Sequence, residues 1–407
     1  MTSSTNEFKF AAPPPVTAAH QHAVYPELSH DERARLNFVA SCSRLVAATL
    51  TPGNALAYER EVLPEFERSH KRSPSDRTEV RRAMNGNTFH RTWSALRRNL
   101  MEIRQQAGAE IVLRQLSELA ERARQLNTDS NRLVLDDSVE IPAYVSEVDH
   151  HCMPGSYYRE LVADDVAPAA NYDTGFFVTT GGTIGPLCDG AGKSIANWVK
   201  QVIDTSKPEF APKRILDVGV AAGHSILPIA QAFPDAEVVA IDVAAPMLRY
   251  AHARAEALGV SNITFMQMSG EDLSAFADES FDWVQSSIFL HELSMKALPR
   301  VLAECFRVLR PGGLTLHLEQ PQYEQDMPLF EQFMRDWDAY NNNEPFWTAM
   351  HGCDLEQALI TSGFTPKDLF RAQLEGVVEG AESANDAAKQ DHGRAAAWHS
   401  YGAWRSA

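Results

Sequence analysis

The sequence has no apolar run of about 18 residues or more, so no membrane-spanning helix is expected. Cysteine is scarce. The five residues Cys42, Cys152, Cys188, Cys305 and Cys353 are scattered, odd in number and without a CxxC pair. That pattern argues against a disulfide framework and fits reduced thiols in a cytoplasmic protein. Positive charge is also short: 37 Lys and Arg stand against 54 Asp and Glu, a formal net charge of −17. Such a surface repels phosphate backbones, so nucleic acid is not the expected partner. The segment MTSSTNEFKF has no basic start followed by an apolar stretch, so no secretory leader is expected. No internal repeat of 20–50 residues is visible.

What is present divides the 407 residues into five parts. Residues 1–28 are polar and Pro-rich and read as a disordered arm. Residues 29–128 read as a helical N-terminal domain, opened by the capping pattern Ser29-His30-Asp31-Glu32 and punctuated by a stop at Thr51-Pro52-Gly53. Within it Phe89, Trp93, Leu96, Leu100 and Ile103, then Val112, Leu116, Leu119, Ala123 and Leu126, form an apolar stripe at helical spacing, with a slip near Ala107-Gly108-Ala109. The stripe serves either packing against neighbouring helices or a homodimer. Residues 129–192 form a loop-rich linker contributing to the active site. Residues 193–372 form the next domain, alternating strand and helix until about residue 320, which argues for a parallel sheet covered on both faces. Residues 373–407 form a tail whose Trp398 and Trp404 are expected to dock on something.

Three motifs fall short of the chemistry they suggest. Gly190-Ala191-Gly192-Lys193-Ser194 lacks the earlier glycine of a phosphate loop, where Leu187 stands. His291-Glu292-Leu293-Ser294-Met295 lacks the second histidine of a zinc-protease helix. Asp149-His150-His151-Cys152 gathers ligand-type residues, but neighbouring side chains on a strand diverge and no partner motif accompanies them, so no metal is expected.

The segment ILDVGVAAGHS, residues 215–225, carries a stronger signal. An apolar strand ends in Asp217 and turns through Gly219 and Gly223. A GxGxxG dinucleotide fingerprint fails at Ala221 and His224, and the acid disfavours a phosphate. A cationic, phosphate-free nucleotide such as S-adenosylmethionine suits it better. Asp242, at the end of the next strand, is placed to hold ribose hydroxyls.

In order, DVGVAAG, VVAIDVAAPML, GEDLSAFADESFDWVQSSIFLHEL and ECFRVLRPGGLTLHLEQP resemble a class I S-adenosylmethionine-dependent methyltransferase, of the group similar to ubiquinone/menaquinone C-methyltransferases, over about residues 195–320. The resemblance implies an α/β fold: a Rossmann-like, doubly wound, mostly parallel seven-stranded sheet beside the helical domain. It implies S-adenosyl-L-methionine as cofactor, with Asp217, Gly219 and Gly223 in the first motif, Asp242 on the ribose and Met247 on the adenine. Ser269, Gly270, Glu271 and Asp272 fall where the family contacts the adenine, with Ser269 replacing the usual Asp, and Ser286 begins the segment lining the methyl-transfer site. Pro311-Gly312-Gly313 matches a structural turn. Candidate catalytic groups at strand ends are His291, Glu292 and Glu319. The aromatic segment after the fifth strand, together with the linker, points to His150, His151, Tyr157, Trp337, Tyr340 and Trp347 as substrate-binding residues. The expected function is O- or C-methylation of a small, apolar or aromatic metabolite. The alternative is a protein methyltransferase or a non-catalytic interaction protein on the same fold.

Overall fold

A computed structural model describes residues 12–128, 131–324, 326–377 and 397–406. Its sheet is built from β1 (Leu133–Val134), β2 (Arg214–Val218), β3 (Glu237–Asp242), β4 (Ile263–Gln267), β5 (Phe281–Ser287), β6 (Leu309–Glu319), β7 (Leu369–Glu375) and β8 (Ala397–Trp404). The spatial order is β1-β4-β3-β2-β5-β6-β8-β7. Strands β1 to β6 pair in parallel, and β8 runs antiparallel between β6 and β7. The expected seven strands are all there; the short β1 adds an eighth at the edge, donated by the linker.

Period-two alternation decides which side chain goes where. On β2, Ile215 joins one apolar layer and Leu216 and Val218 join the other. The helix Gly190–Thr205 covers the first layer through Ile195 and Val199. The helix Ala297–Val308 covers the second through Leu298, Val301, Leu302 and Cys305. The chain runs outward from β2 through β3 to β4, then returns past β2 to β5. The strand order reverses there, so the crevice beyond the carboxyl ends of β2 and β5 is where a ligand is expected.

The helical domain lies over that crevice. Ser29 caps the helix His30–Leu45 as expected: its hydroxyl accepts from the Glu32 amide (3.3 Å) and Glu32 accepts from the Ser29 amide (2.7 Å). The stop at Thr51-Pro52-Gly53 is absent. The helical path continues to His70 through two wider turns, Val46–Leu50 and Tyr58–Val62, and Pro52 sits at the start of a new helical turn, where its missing N–H costs least. The slip near Ala107-Gly108-Ala109 is absent too. The helix Thr88–Arg114 runs through it and breaks at Gln115. Gly108 is instead a crossing point: a Cβ there would lie 2.0 Å from Asn171 Oδ1 on the helix Ala167–Thr180.

Much of the apolar stripe packs within the chain. Val112, Leu119 and Ala123 meet Met247, Tyr250 and Ala253, while Trp93 meets Phe333, Met334 and Trp337. The arm assigned as disordered is packed over residues 12–28, with Val16, Val24 and Tyr25 buried; residues 1–11 lie outside the described residues. The tail is corrected likewise. Residues 373–375 finish β7 and 397–404 form β8 inside the sheet, while 378–396 lie outside the described residues. Trp398 and Trp404 do dock, both packing against the first apolar layer. Among the described residues no helix is long and apolar enough to cross a membrane.

Candidate active site

The turn after β2 begins the site. Gly219 (φ 77°), Ala221 (φ 46°) and Gly223 (φ 81°) all take left-handed backbone. A Cβ on Gly219 would lie 2.2 Å from the Phe289 ring, so glycine is required there twice over. Asp217 is buried and accepts from Gln285 Nε2 at 3.0 Å. Burial, with the nearby charge of Asp242, pushes its carboxyl up to about 7. Asp242 accepts the Ala221 amide on one oxygen and the Ala244 amide on the other, both at 2.9 Å. These bonds lock its orientation and tie β3 to the turn; burial outweighs them and raises its pKa.

A cavity of about 380 Å³ opens from this turn. Asp217, Gly219, Asp242 and Gly270 line one end; His291, Glu292, His150, His151, Tyr157 and Trp347 line the other. The roof comes from the helical domain and linker, including Arg97, Leu100, Arg104, Tyr144 and Tyr172.

The far end is dense in titratable groups. His291 Nδ1 lies 2.7 Å from Glu319 Oε1, and the His291 amide donates to Glu319 Oε2 at 3.2 Å. Burial opposes a charge on His291, but Glu319, Glu292 and Glu344 overcome it and lift the imidazole to about 9. Burial likewise opposes ionisation of Glu319, yet His291 and the Gln320 amide hold it below the usual carboxylate range. Trp347 packs edge-on against His291, with ring centres 4.7 Å apart. Glu292 accepts from the Tyr157 hydroxyl at 3.0 Å and lies 3.1 Å from His150 Nε2. His151 stands between Glu292 and Glu344, and its burial lowers its pKa.

Several expected site residues stand elsewhere. Met247 is fully buried in the apolar cluster that joins its own helix to the helical domain and does not line the cavity; Met268 lines it instead. Ser269 turns inward to accept the Glu271 amide at 3.2 Å, and Glu271 is occupied by the Tyr144 hydroxyl (2.9 Å) and Arg300 (2.8 Å). Asp272 is exposed and caps Ser274. Ser286 is buried against His317 at 2.8 Å, because successive strand residues face opposite sides; Ser287 reaches the cavity. Glu319 stands behind His291 and does not line the cavity. Trp337 packs on Trp93 and donates to Ser94 Oγ at 2.8 Å, and Tyr340 is on the surface beneath the Arg81 guanidinium, 3.6 Å from its ring centre.

Three buried groups escaped the sequence reading. Asp173, on the helix Ala167–Thr180, meets His22 Nε2 (3.0 Å), His224 Nε2 (2.8 Å) and the Tyr250 hydroxyl (2.7 Å). It thereby ties the N-terminal arm to the cofactor turn. Burial works against its charge, but His224, Arg254 and His22 hold its pKa well down. Glu344 is fully buried, and burial lifts it to about 7. Arg104 enters the roof where Gly175 leaves space; a Cβ on Gly175 would lie 2.0 Å from its guanidinium. Only Asp173 left a signal in the sequence, a charge inside the otherwise apolar and small-residue helix Ala167–Thr180.

This part of the chain is similar to known proteins. A methyltransferase-domain family model matches residues 215–313. A demethylmenaquinone methyltransferase of Thermus thermophilus is 36% identical over 124 residues, 30% of this chain and 54% of that protein. A malonyl-[acyl-carrier protein] O-methyltransferase of Methylococcus capsulatus is 34% identical over 38% of this chain and 52% of its own. An uncharacterised methyltransferase of Synechocystis is 30% identical over 38% of this chain and 67% of its own length. Among solved structures, a SAM-dependent methyltransferase from Aquifex aeolicus aligns with a TM-score of 0.33 and 18% identity, over 51% of this chain and 97% of its own. The chain belongs to the class I S-adenosylmethionine-dependent methyltransferases. It spans about half the length of the first curated relatives it matches, and the family model, over residues 215–313, leaves out the helical domain roofing the cavity.

Proposed function

We propose that this protein transfers the methyl group of S-adenosylmethionine to oxygen or carbon of a small, largely apolar molecule held beneath the helical domain. The observation that carries the reading is one cavity with acidic strand ends at one side and an imidazole–carboxylate cluster at the other. Asp217 faces the cationic amino-acid end of the cofactor, Asp242 the ribose, and Gly219 the close passage of the chain. Ile241, Val243 and Met268 supply the apolar wall for the adenine.

Methyl transfer needs the acceptor atom, methyl carbon and sulfur in line, with water kept out. The roof supplies both, and Tyr157, Tyr172, Phe176, Phe289 and Trp347 give the acceptor end an aromatic lining. A hydroxyl or acidic carbon must also lose a proton. His291 already holds its proton at neutral pH, so that role falls to Glu292 and the imidazoles around it. A protein acceptor would need an open groove, and the overlying helices favour a small one. Phe89, Leu96 and Ile103 stay exposed on the helix Thr88–Arg114, a surface that a homodimer would bury; sedimentation tests this.

The test is calorimetric titration with S-adenosylmethionine and S-adenosylhomocysteine, followed by methyl-labelled cofactor offered to separated small-molecule and protein fractions. Micromolar binding and label in the small-molecule fraction are expected. No binding, or label confined to protein, would overturn the reading.

A further inference from the structure

At the acceptor end of the cavity, and in Glu344 buried beside it, stand ligand-type atoms with few partners of their own. Glu344 is fully buried; its Oε2 has no hydrogen-bond partner among the described residues, and its Oε1 meets the His151 imidazole. His150 Nε2 and Glu292 Oε2 meet at 3.1 Å, and neither atom has a hydrogen bond to any other group among the described residues. His151 stands between the two acids, with Nδ1 2.7 Å from Glu344 Oε1 and Nε2 3.7 Å from Glu292 Oε1. One ligand atom each from His151, Glu292 and Glu344 falls within 4.8 Å of the others. Carboxylates taken out of water with few donors are costly unless a cation or a further donor meets them.

We propose that His151, Glu292 and Glu344 bind a divalent cation, with His150 as a fourth ligand. Two carboxylates balance the charge of such an ion. Mixed imidazole and carboxylate donors suit first-row transition ions better than magnesium or calcium, which favour all-oxygen sets. The ligands are themselves held. The Tyr157 hydroxyl lies 3.0 Å from Glu292 Oε1, Ser156 Oγ lies 3.0 Å from His150 Nδ1, and Gln105 donates to the His151 carbonyl at 2.8 Å. The adjacent histidines can share one site because His151 takes a left-handed backbone (φ 52°), which breaks the alternation that would send their rings apart.

The role of the ion, though not its existence, rests on the methyl-transfer reading. Beside His291 and Trp347 it would hold an oxygen of the acceptor and lower the pKa of a bound hydroxyl. Glu292 then works as a ligand, with no need for it to act as a free base.

The experiment is titration of the chelator-stripped full chain with Co²⁺, followed by visible absorption and calorimetry. One ion per chain is expected, with Glu344→Gln and His151→Ala each weakening affinity by about tenfold or more. Circular dichroism and thermal melting confirm that both variants are folded. Absence of stoichiometric Co²⁺ binding by the wild type, or wild-type affinity in both folded variants, overturns the proposal. A separate titration with S-adenosylhomocysteine keeps the two readings apart: its failure removes methyl transfer and leaves the ion site standing.

Discussion

Asp217→Asn is expected to make the protein more stable while weakening its grip on the cofactor. Burial and the Asp242 charge raise the Asp217 carboxyl from 3.8 to about 7. One pKa unit corresponds to about 1.4 kcal/mol, so keeping this carboxylate ionised costs the fold about 4 kcal/mol. The direction follows from the raised value. Below pH 3.8 both folded and unfolded chains hold the proton and nothing is lost; the cost grows as pH rises and levels off above about 7. The substitution removes the charge at nearly constant volume. The new amide can accept from Gln285 Nε2, as the acid does at 3.0 Å, and can also donate to Gln285 Oε1, which is buried without a hydrogen bond. A gain of about 1 kcal/mol at pH 4.5 and about 2–4 kcal/mol at pH 8 is expected, read as a rise in melting temperature that widens with pH. Loss of a charge-assisted bond of about 1.5–3 kcal/mol should weaken S-adenosylmethionine roughly 10- to 100-fold by calorimetry. A variant no more stable than wild type at pH 8, or one binding cofactor normally, would show that Asp217 is not a buried acid kept for the cofactor.

Three further substitutions probe other parts of the argument. Gly219→Ala meets both a left-handed backbone and the Phe289 ring; strain of about 1–3 kcal/mol should lower the melting temperature and cofactor affinity together, and unchanged affinity would remove the turn from the site. Glu319→Gln breaks the buried pair with His291 and should cost about 3–5 kcal/mol. Because the His291 pKa is raised from 6.5 to about 9, its share of that stability is complete below 6.5 and lost as pH rises through 9, so thermal melts should show the larger deficit at pH 6.5 and a smaller one at pH 9.5. Asp173→Ala strands His22, His224 and Tyr250 and should cost about 3–5 kcal/mol, with faster hydrogen exchange in residues 12–28; unaltered exchange there would mean that Asp173 does not pin the arm.

Much of the cofactor half of this protein was determined by local sequence. ILDVG is a buried strand meeting a turn that needs glycine, and an acid ending the next strand must face the same crevice once both strands pair in parallel. Capping at Ser29 was legible for the same reason, because its bonds span three residues. Tertiary structure decided the rest. Ser286 and Ser287 are equivalent in composition, and only the pleat chooses which one meets the cavity. Met247 and Tyr340 sit on helices whose rotation is set by distant partners. The tail became a central strand because β6 offered an unpaired edge far away in sequence. The acceptor end joins side chains some 190 residues apart, such as His151 and Glu344. No periodicity encodes such a meeting; it exists only after the linker and the aromatic segment fold against the same strand ends.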